Sequence, residues 1–202
     1  MPLVLASASP RRQELLKNAG IEFVLKPANI PEVRLDQESA QVFAERMARE
    51  KARAVFAGAK GEYVLGADTV VVVAEMAGGA TGVSPVEVQL VLGKPESEED
   101  AARMLRLISG RKHQVITGVC LIGSGFEDVR SETTTVEFSA LSETEIRDYI
   151  ATGEPMDKAG AYAIQGAASR WVLNVKGDYS NVVGLPVALV LQILRDHRLD
   201  KS

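Results

Sequence analysis

Apolar residues along the chain fall into unbroken runs and into stripes spaced three or four apart. The unbroken runs are LVLA (residues 3–6), YVLGADTVVVVAE (63–75), VQLVL (88–92), HQVITGVCLIG (113–123) and WVLNV (171–175). Each reads as a strand, the first of them short and buried. VRSETTTVEFSA (129–140) is a further β-rich run, joined to its predecessor through Gly123-Ser124-Gly125 as a hairpin. The stripes predict helices. Leu15, Leu16 and Ala19 follow Ser9 as N-cap and Pro10 at the first helical position, with Gly20 as the stop. Ala40, Phe43, Ala44, Met47, Ala48, Val55 and Phe56 mark a helix over 38–56. Capping boxes at Ser97/Asp100 and Ser142/Glu145 open helices that run to Ile108 and toward Gly153, and Pro186 opens a last one to about His197. IEFVLKPANIPEVRL (21–35) reads as a strand passing into a loop that carries Glu32. Residues 76–87 read as an extended loop or hairpin tip, 153–170 as a glycine-containing loop, and 176–186 as a turn region. Helices and strands alternate around one hairpin, which predicts an α/β fold with a mixed sheet.

Three polar interruptions stand out against this pattern. Arg11 and Arg12 sit in a helix's first turn, where the dipole disfavours cations by about 0.3–1 kcal/mol each. Either they face water, or an anion converges on them and on the free N–H groups there. Lys51 falls within the apolar stripe of its helix, so it either snorkels to the rim or points into a wet cavity. Asp68 interrupts a strand run, and is either a strand end or a buried carboxylate that needs a cation or hydrogen-bond donors.

Composition narrows the choices. The chain has 202 residues, 46% of them hydrophobic and 25% charged, enough for one large domain or two joined lobes. No apolar run approaches the ~20 residues of a membrane span, and no signal peptide is expected. The net charge of −4 gives no global attraction to nucleic acid. The single cysteine, Cys120, lies in an apolar run and reads as a buried reduced thiol, which fits a cytoplasmic location. His113 and His197 have no metal-ligand spacing, so zinc is not expected.

Familiar phosphate motifs fail. The Gly-Lys-Pro at 93–95 lacks the hydroxyl residue and glycine spacing of a Walker loop, and no Gly-x-Ser-x-Gly elbow is present. What is left is a scattered set: Arg11, Arg12, Lys51 and Lys94 as cations, Glu32 and Asp68 as carboxylates. Such cations suit a polyphosphate, and paired carboxylates suit Mg²⁺, which keeps oxygen ligands and bridges phosphates.

LASASPRRQELL, REKA, GADTVV, GKP, SGRKHQVITGV, EPMDKAGAYAIQG and VVGLP, in that order over essentially the whole chain, resemble the Maf family of nucleoside triphosphate pyrophosphatases. The resemblance implies a single domain over residues 1–202 with two lobes and a central cleft, in the manner of inosine triphosphate pyrophosphatases. It implies release of pyrophosphate from a nucleoside triphosphate with Mg²⁺ or another divalent cation such as Mn²⁺, by a homodimer. It places Asp68 as the catalytic acid residue, Glu32 and Lys51 at metal and phosphate, and Lys94 as a second active-site lysine. Ser7, Ser9, Arg11 and Arg12 match the phosphate-binding turn. Glu32 and Asp68 are then the expected metal ligands.

Gln165, with Arg11 and Thr69, resembles the branch of the family that acts on dTTP and UTP. A glutamine amide offers both a donor and an acceptor to the acceptor–donor–acceptor edge of uracil or thymine, whereas guanine's adjacent donors suit a carboxylate. Two features depart from the family pattern: residues 76–90 are long for the interval before GKP, and Ala163 stands where glycine is common. A reading from another class is a regulator that senses pyrimidine triphosphates without turnover. The intact Asp68, Glu32, Lys51 and Lys94 argue against it.

Overall fold

A computed structural model describes residues 3–57, 62–77 and 86–199. Seven strands, β1 (Leu3–Leu5), β2 (Phe23–Leu25), β3 (Tyr63–Ala77), β4 (Val86–Leu92), β5 (Lys112–Gly123), β6 (Phe126–Phe138) and β7 (Val172–Lys176), follow the order β2-β1-β3-β5-β6-β7, with β4 added to β3. β1 pairs in parallel with β2 and with β3, while β4 on β3 and β7 on β6 are antiparallel. The sheet is therefore mixed, as the alternation plus hairpin predicts. The helices are α1 (Pro10–Asn18), α2 (Ala40–Phe56), α3 (Glu98–Ile108), α4 (Glu143–Ile150), α5 (Tyr179–Val183) and α6 (Val187–Asp196). Two compact units emerge, one of residues 1–69, 116–133 and 178–202, the other of 70–115 and 134–177.

In the first unit, alternate strand residues feed two separate cores. Leu3, Leu5, Leu65, Ala67, Val119 and Leu121 pack with Leu16 of α1 and with Val190, Ile193 and Leu194 of α6. Val4, Ala6, Val64, Cys120 and Ile122 pack with Ala48 and Ala52 of α2. Helices thus cover both faces, which explains the unbroken apolar runs. The α2 layer lies unusually near the sheet. A Cβ at Gly66 would collide with the Ala48 carbonyl and lie 2.8 Å from the Ala52 nitrogen, and one at Gly118 would collide with the Ala44 backbone. Only glycine admits that approach.

Helix ends follow the sequence with three corrections. Ser142 with Glu145 forms the full reciprocal box at α4, whereas α2 begins at Ala40 rather than at 38, with the Ser39 side chain accepting the Val42 N–H as its cap. At α3, Ser97 accepts from the Asp100 N–H, but the Asp100 carboxylate accepts from Glu96 N–H, one residue before the cap, so the box is incomplete. Ser9 occupies the N-cap of α1 without any side-chain capping bond. At its other end Gly20 (φ 70°) donates to Lys17 and Ile21 donates to Leu16, a Schellman closure.

The second unit is built on an aromatic cluster. Phe138 meets Tyr162 at 4.8 Å and His113 at 5.1 Å between ring centres, and Tyr149 stands edge-on to Trp171 at 5.1 Å. The interval 153–170, read as loop, contains three 3₁₀ turns, and the turn region 176–186 contains the short α5, capped by Asp178. Residues 78–85, at the centre of the glycine-rich segment, lie outside the described residues.

Candidate active site

Asp68 sits within β3 rather than at its end, and is buried. Its side chain follows Val64 and Gly66 on the face covered by α2, where the close helix brings Lys51 to it. Lys51 Nζ donates to Asp68 Oδ1 and to Glu32 Oε1, each at 2.6 Å. The lysine is itself buried, so it neither snorkels to the rim nor stands in open water. Burial raises the Asp68 pKa, and the neighbouring Lys51 and Arg12 charges pull against that rise without reversing it.

The loop bearing Glu32 is held from α2. Glu38 takes two hydrogen bonds from Arg46, at 2.7 and 2.8 Å, and Arg46 also donates to the Val33 carbonyl at 2.9 Å. The Leu35 N–H and the Arg34 guanidinium close the loop further on Glu38. These bidentate contacts hold the Glu38 carboxyl below its usual range, chiefly through the Arg46 hydrogen bond. Neither residue was visible as a site residue in the sequence, where the pair looks like any charged helix start.

On the opposite face of β3, Thr69 meets the first turn of α1. Arg12 turns inward and donates from Nε to the Gly184 carbonyl (2.8 Å), from Nη1 to Ser7 Oγ (3.1 Å) and the Ala67 carbonyl (2.9 Å), and from Nη2 to Thr69 Oγ1 (3.0 Å). Four of its five N–H groups are thereby committed to the protein. Desolvation lowers its pKa, partly countered by the charges of Asp68 and Glu32, with Arg11 adding repulsion. Ser7 Oγ also accepts from the Ser9 N–H at 3.3 Å, which joins both serines to the same turn. Thr69 Oγ1 lies 2.9 Å from Thr117 Oγ1. Thr117 is a fully buried hydroxyl, and its place as a polar residue inside the apolar run VITGVCL is the signal in the sequence that marks it. Arg11 is half-buried beside these groups.

The first unit thus gathers Ser7, Ser9, Arg12, Thr69, Asp68, Lys51 and Glu32. Lys94 and Gln165 belong to the second unit, where the GKP and EPMDKAGAYAIQG segments meet: Gly160 N–H donates to the Gly93 carbonyl at 3.0 Å. Gly160 (φ 69°) and Ala161 (φ 61°) are consecutive left-handed residues, and a Cβ at Gly160 would press on Val71 at 2.7 Å. Ala163 does not share that backbone and takes alanine without strain.

The match to the Maf-like protein family model runs over residues 2–197. The chain belongs to the Maf family. Among curated Maf relatives, the dTTP/UTP pyrophosphatase of Koribacter versatilis (strain Ellin345) is 52% identical over 195 residues, covering 96% of this chain and 94% of that one. The dTTP/UTP pyrophosphatase of Symbiobacterium thermophilum is 47% identical, covering 95% and 92%. That of Geobacillus sp. (strain WCH70) is 45% identical, covering 92% of each. Among solved structures, the Staphylococcus aureus Ham1 protein matches at a TM-score of 0.47 and 13% identity over 98% of this Maf chain and 100% of that one, too distant to bear on the fold.

Proposed function

We propose that this Maf protein hydrolyses dTTP and UTP to the monophosphate and pyrophosphate. The observation that carries the reading is the triad in which Lys51 stands between the Glu32 and Asp68 carboxylates, on a chain about half identical over nearly its full length to curated dTTP/UTP pyrophosphatases.

The donor set suits Mg²⁺ or Mn²⁺. Glu32 and Asp68 converge on one group, the Lys51 ammonium, and both offer oxygen, the donor type that these ions take. Sites of that kind complete their shell with phosphate oxygens and water. Glu32 and Asp68 would hold the ion, which supplies neutralisation of phosphate charge when bound.

The remaining work falls to the chain. Asp68, fixed by the hydrogen bond from Lys51, orients the attacking water or takes its proton. Lys51 holds Asp68 and Glu32 in place and offers positive charge to the triphosphate. Arg12 braces the Ser7–Ser9 turn and has one N–H left for a phosphate oxygen, so Arg11 and Lys94 carry more of the charge neutralisation on the leaving pyrophosphate. Gln165 and Thr69 serve the base and its sugar. The reading extends to one functional domain over residues 1–202, working as a cytoplasmic homodimer without nucleic-acid or membrane partners. No described helix is long and apolar enough to cross a membrane.

Incubation with UTP and Mg²⁺ tests the proposal through stoichiometric pyrophosphate and UMP. Tight binding with UTP unchanged would support a sensor instead, and orthophosphate release would mean that another bond is cut. Asp68→Asn is expected to lower turnover by about 10²-fold or more.

A further inference from the structure

Gln165 lies at the exposed tip of a turn in which the Gly166 N–H donates to the Ala163 carbonyl at 3.0 Å. Both shoulders of that turn are tied to α4 and the residues just after it. The Ala163 N–H donates to Tyr149 Oη at 3.1 Å, and the Tyr149 hydroxyl donates in turn to Glu154 Oε1 at 2.7 Å. The same carboxylate accepts from the Ala167 N–H, at 3.1 and 3.3 Å to its two oxygens. One unbroken hydrogen-bonded chain therefore runs from the residue two before Gln165 to the residue two after it. Gly166 completes the arrangement, because a Cβ there would collide with the Glu154 carboxylate. The hinge of this chain is rigid: Tyr149 is 1% exposed and its ring is fixed edge-on against Trp171.

We propose that Tyr149 and Glu154 are positioning residues that set nucleobase selectivity by clamping both shoulders of the Gln165 turn. The inference rests on the reading of Gln165 as the residue facing the base. A turn held at one end only would let the amide swing, and an amide free to reorient presents donor or acceptor to either partner. Selectivity between bases comes from leaving the wrong base's polar groups unpaired, so it depends on the amide being held. Tyr149 and Glu154 touch the turn's backbone and act through it.

The test compares kcat/KM for UTP with that for GTP in the Mg²⁺-loaded enzyme, across Tyr149→Phe, Glu154→Gln, Gly166→Ala and Gln165→Ala. Tyr149→Phe keeps the ring and removes both hydrogen bonds at the hinge, whereas Gly166→Ala displaces the carboxylate from the other side and leaves the buried ring untouched. Each of the three positioning variants is expected to shrink the UTP/GTP preference by about five- to tenfold, through KM, with kcat for UTP close to wild type. A merely structural role would lower kcat and stability together and leave the preference intact. The proposal is overturned if Gln165→Ala collapses the preference while Tyr149→Phe and Gly166→Ala preserve it. If Gln165→Ala itself leaves the preference unchanged, the base-facing assignment falls, and the clamp's role in selectivity falls with it. Should Tyr149→Phe fail to fold, Gly166→Ala and Glu154→Gln decide the matter alone.

Discussion

Replacing Gly66 by alanine tests how Lys51 is brought to its carboxylates. The added methyl meets backbone atoms of α2, the Ala48 carbonyl and the Ala52 nitrogen, with the Ala52 Cβ at 3.0 Å. Backbone cannot rotate away as a side chain does, so the helix must withdraw by about an ångström to reach ordinary contact. Overpacking of this kind costs about 1–3 kcal/mol. The stiffer unfolded chain returns about 0.4–1 kcal/mol. A net loss of about 1–2 kcal/mol lowers the melting temperature of a chain this size by about 2–8 °C. The functional cost is larger, because Lys51 follows Ala48 by less than one turn and moves with it. A misplacement of about 1 Å can cost about 10²-fold in rate. Gly118→Ala is the matched comparison. It strikes the same helix at Ala44, about two turns before Lys51, and should cost similar stability with a smaller loss of turnover. Gly93→Ala, with open space around its Cβ, should leave the melting temperature unchanged. Calorimetry with a pyrophosphate-release assay reads both quantities. Wild-type activity and stability in Gly66→Ala would refute the claim that this glycine sets the helix–sheet distance.

Arg12→Lys should lower the melting temperature by about 6–12 °C, since an ammonium cannot serve four acceptors in different directions and the loss is about 3 kcal/mol. An unchanged melt would contradict the bracing role. Burial pushes the His113 imidazole down to about 4, whereas an unfolded histidine titrates near ~6.5, so the unfolded state binds more protons between those values. Stability should therefore be full above pH ~6.5 and fall progressively as pH drops toward ~4. His113→Gln, which can still reach the Tyr162 hydroxyl, should flatten that dependence in thermal melts, and an unaltered slope would exclude His113 as its source. Burial likewise raises the Cys120 thiol to about 12, so a thiol reagent should label the native protein far more slowly than the urea-unfolded one.

Much of the fold was legible because its signals are local. The capping box at Ser142, the Schellman glycine Gly20 and the continuous runs of β3 and β5 each encode their element within a few residues. The five-residue α5 was not, because it is too short for a helical period and its cap, Asp178, sits among residues equally suited to a turn. Asp68 and Lys51 were legible as charges in apolar settings. Their partnership was not, since it depends on glycines in two strands letting a helix approach. The inward turn of Arg12 was hidden for another reason. Two of its four acceptors are main-chain carbonyls, at Ala67 and Gly184, and no side-chain pattern announces a carbonyl. Glu38 and Arg46 were hidden by ordinary residue chemistry in ordinary places.

β3 presents Asp68 toward α2 and Thr69 toward α1. Adjacent positions of one strand therefore serve opposite sides of the sheet, and which serves which is decided by parity alone. The alignment of Leu3 with Tyr63 and Leu5 with Leu65 keeps count. Insert a single residue between Leu65 and Asp68, and the acid would be delivered to the arginine's side and the hydroxyl to the lysine's, with every side chain present and none in its place. This stretch can tolerate a change of residue more readily than a change of length.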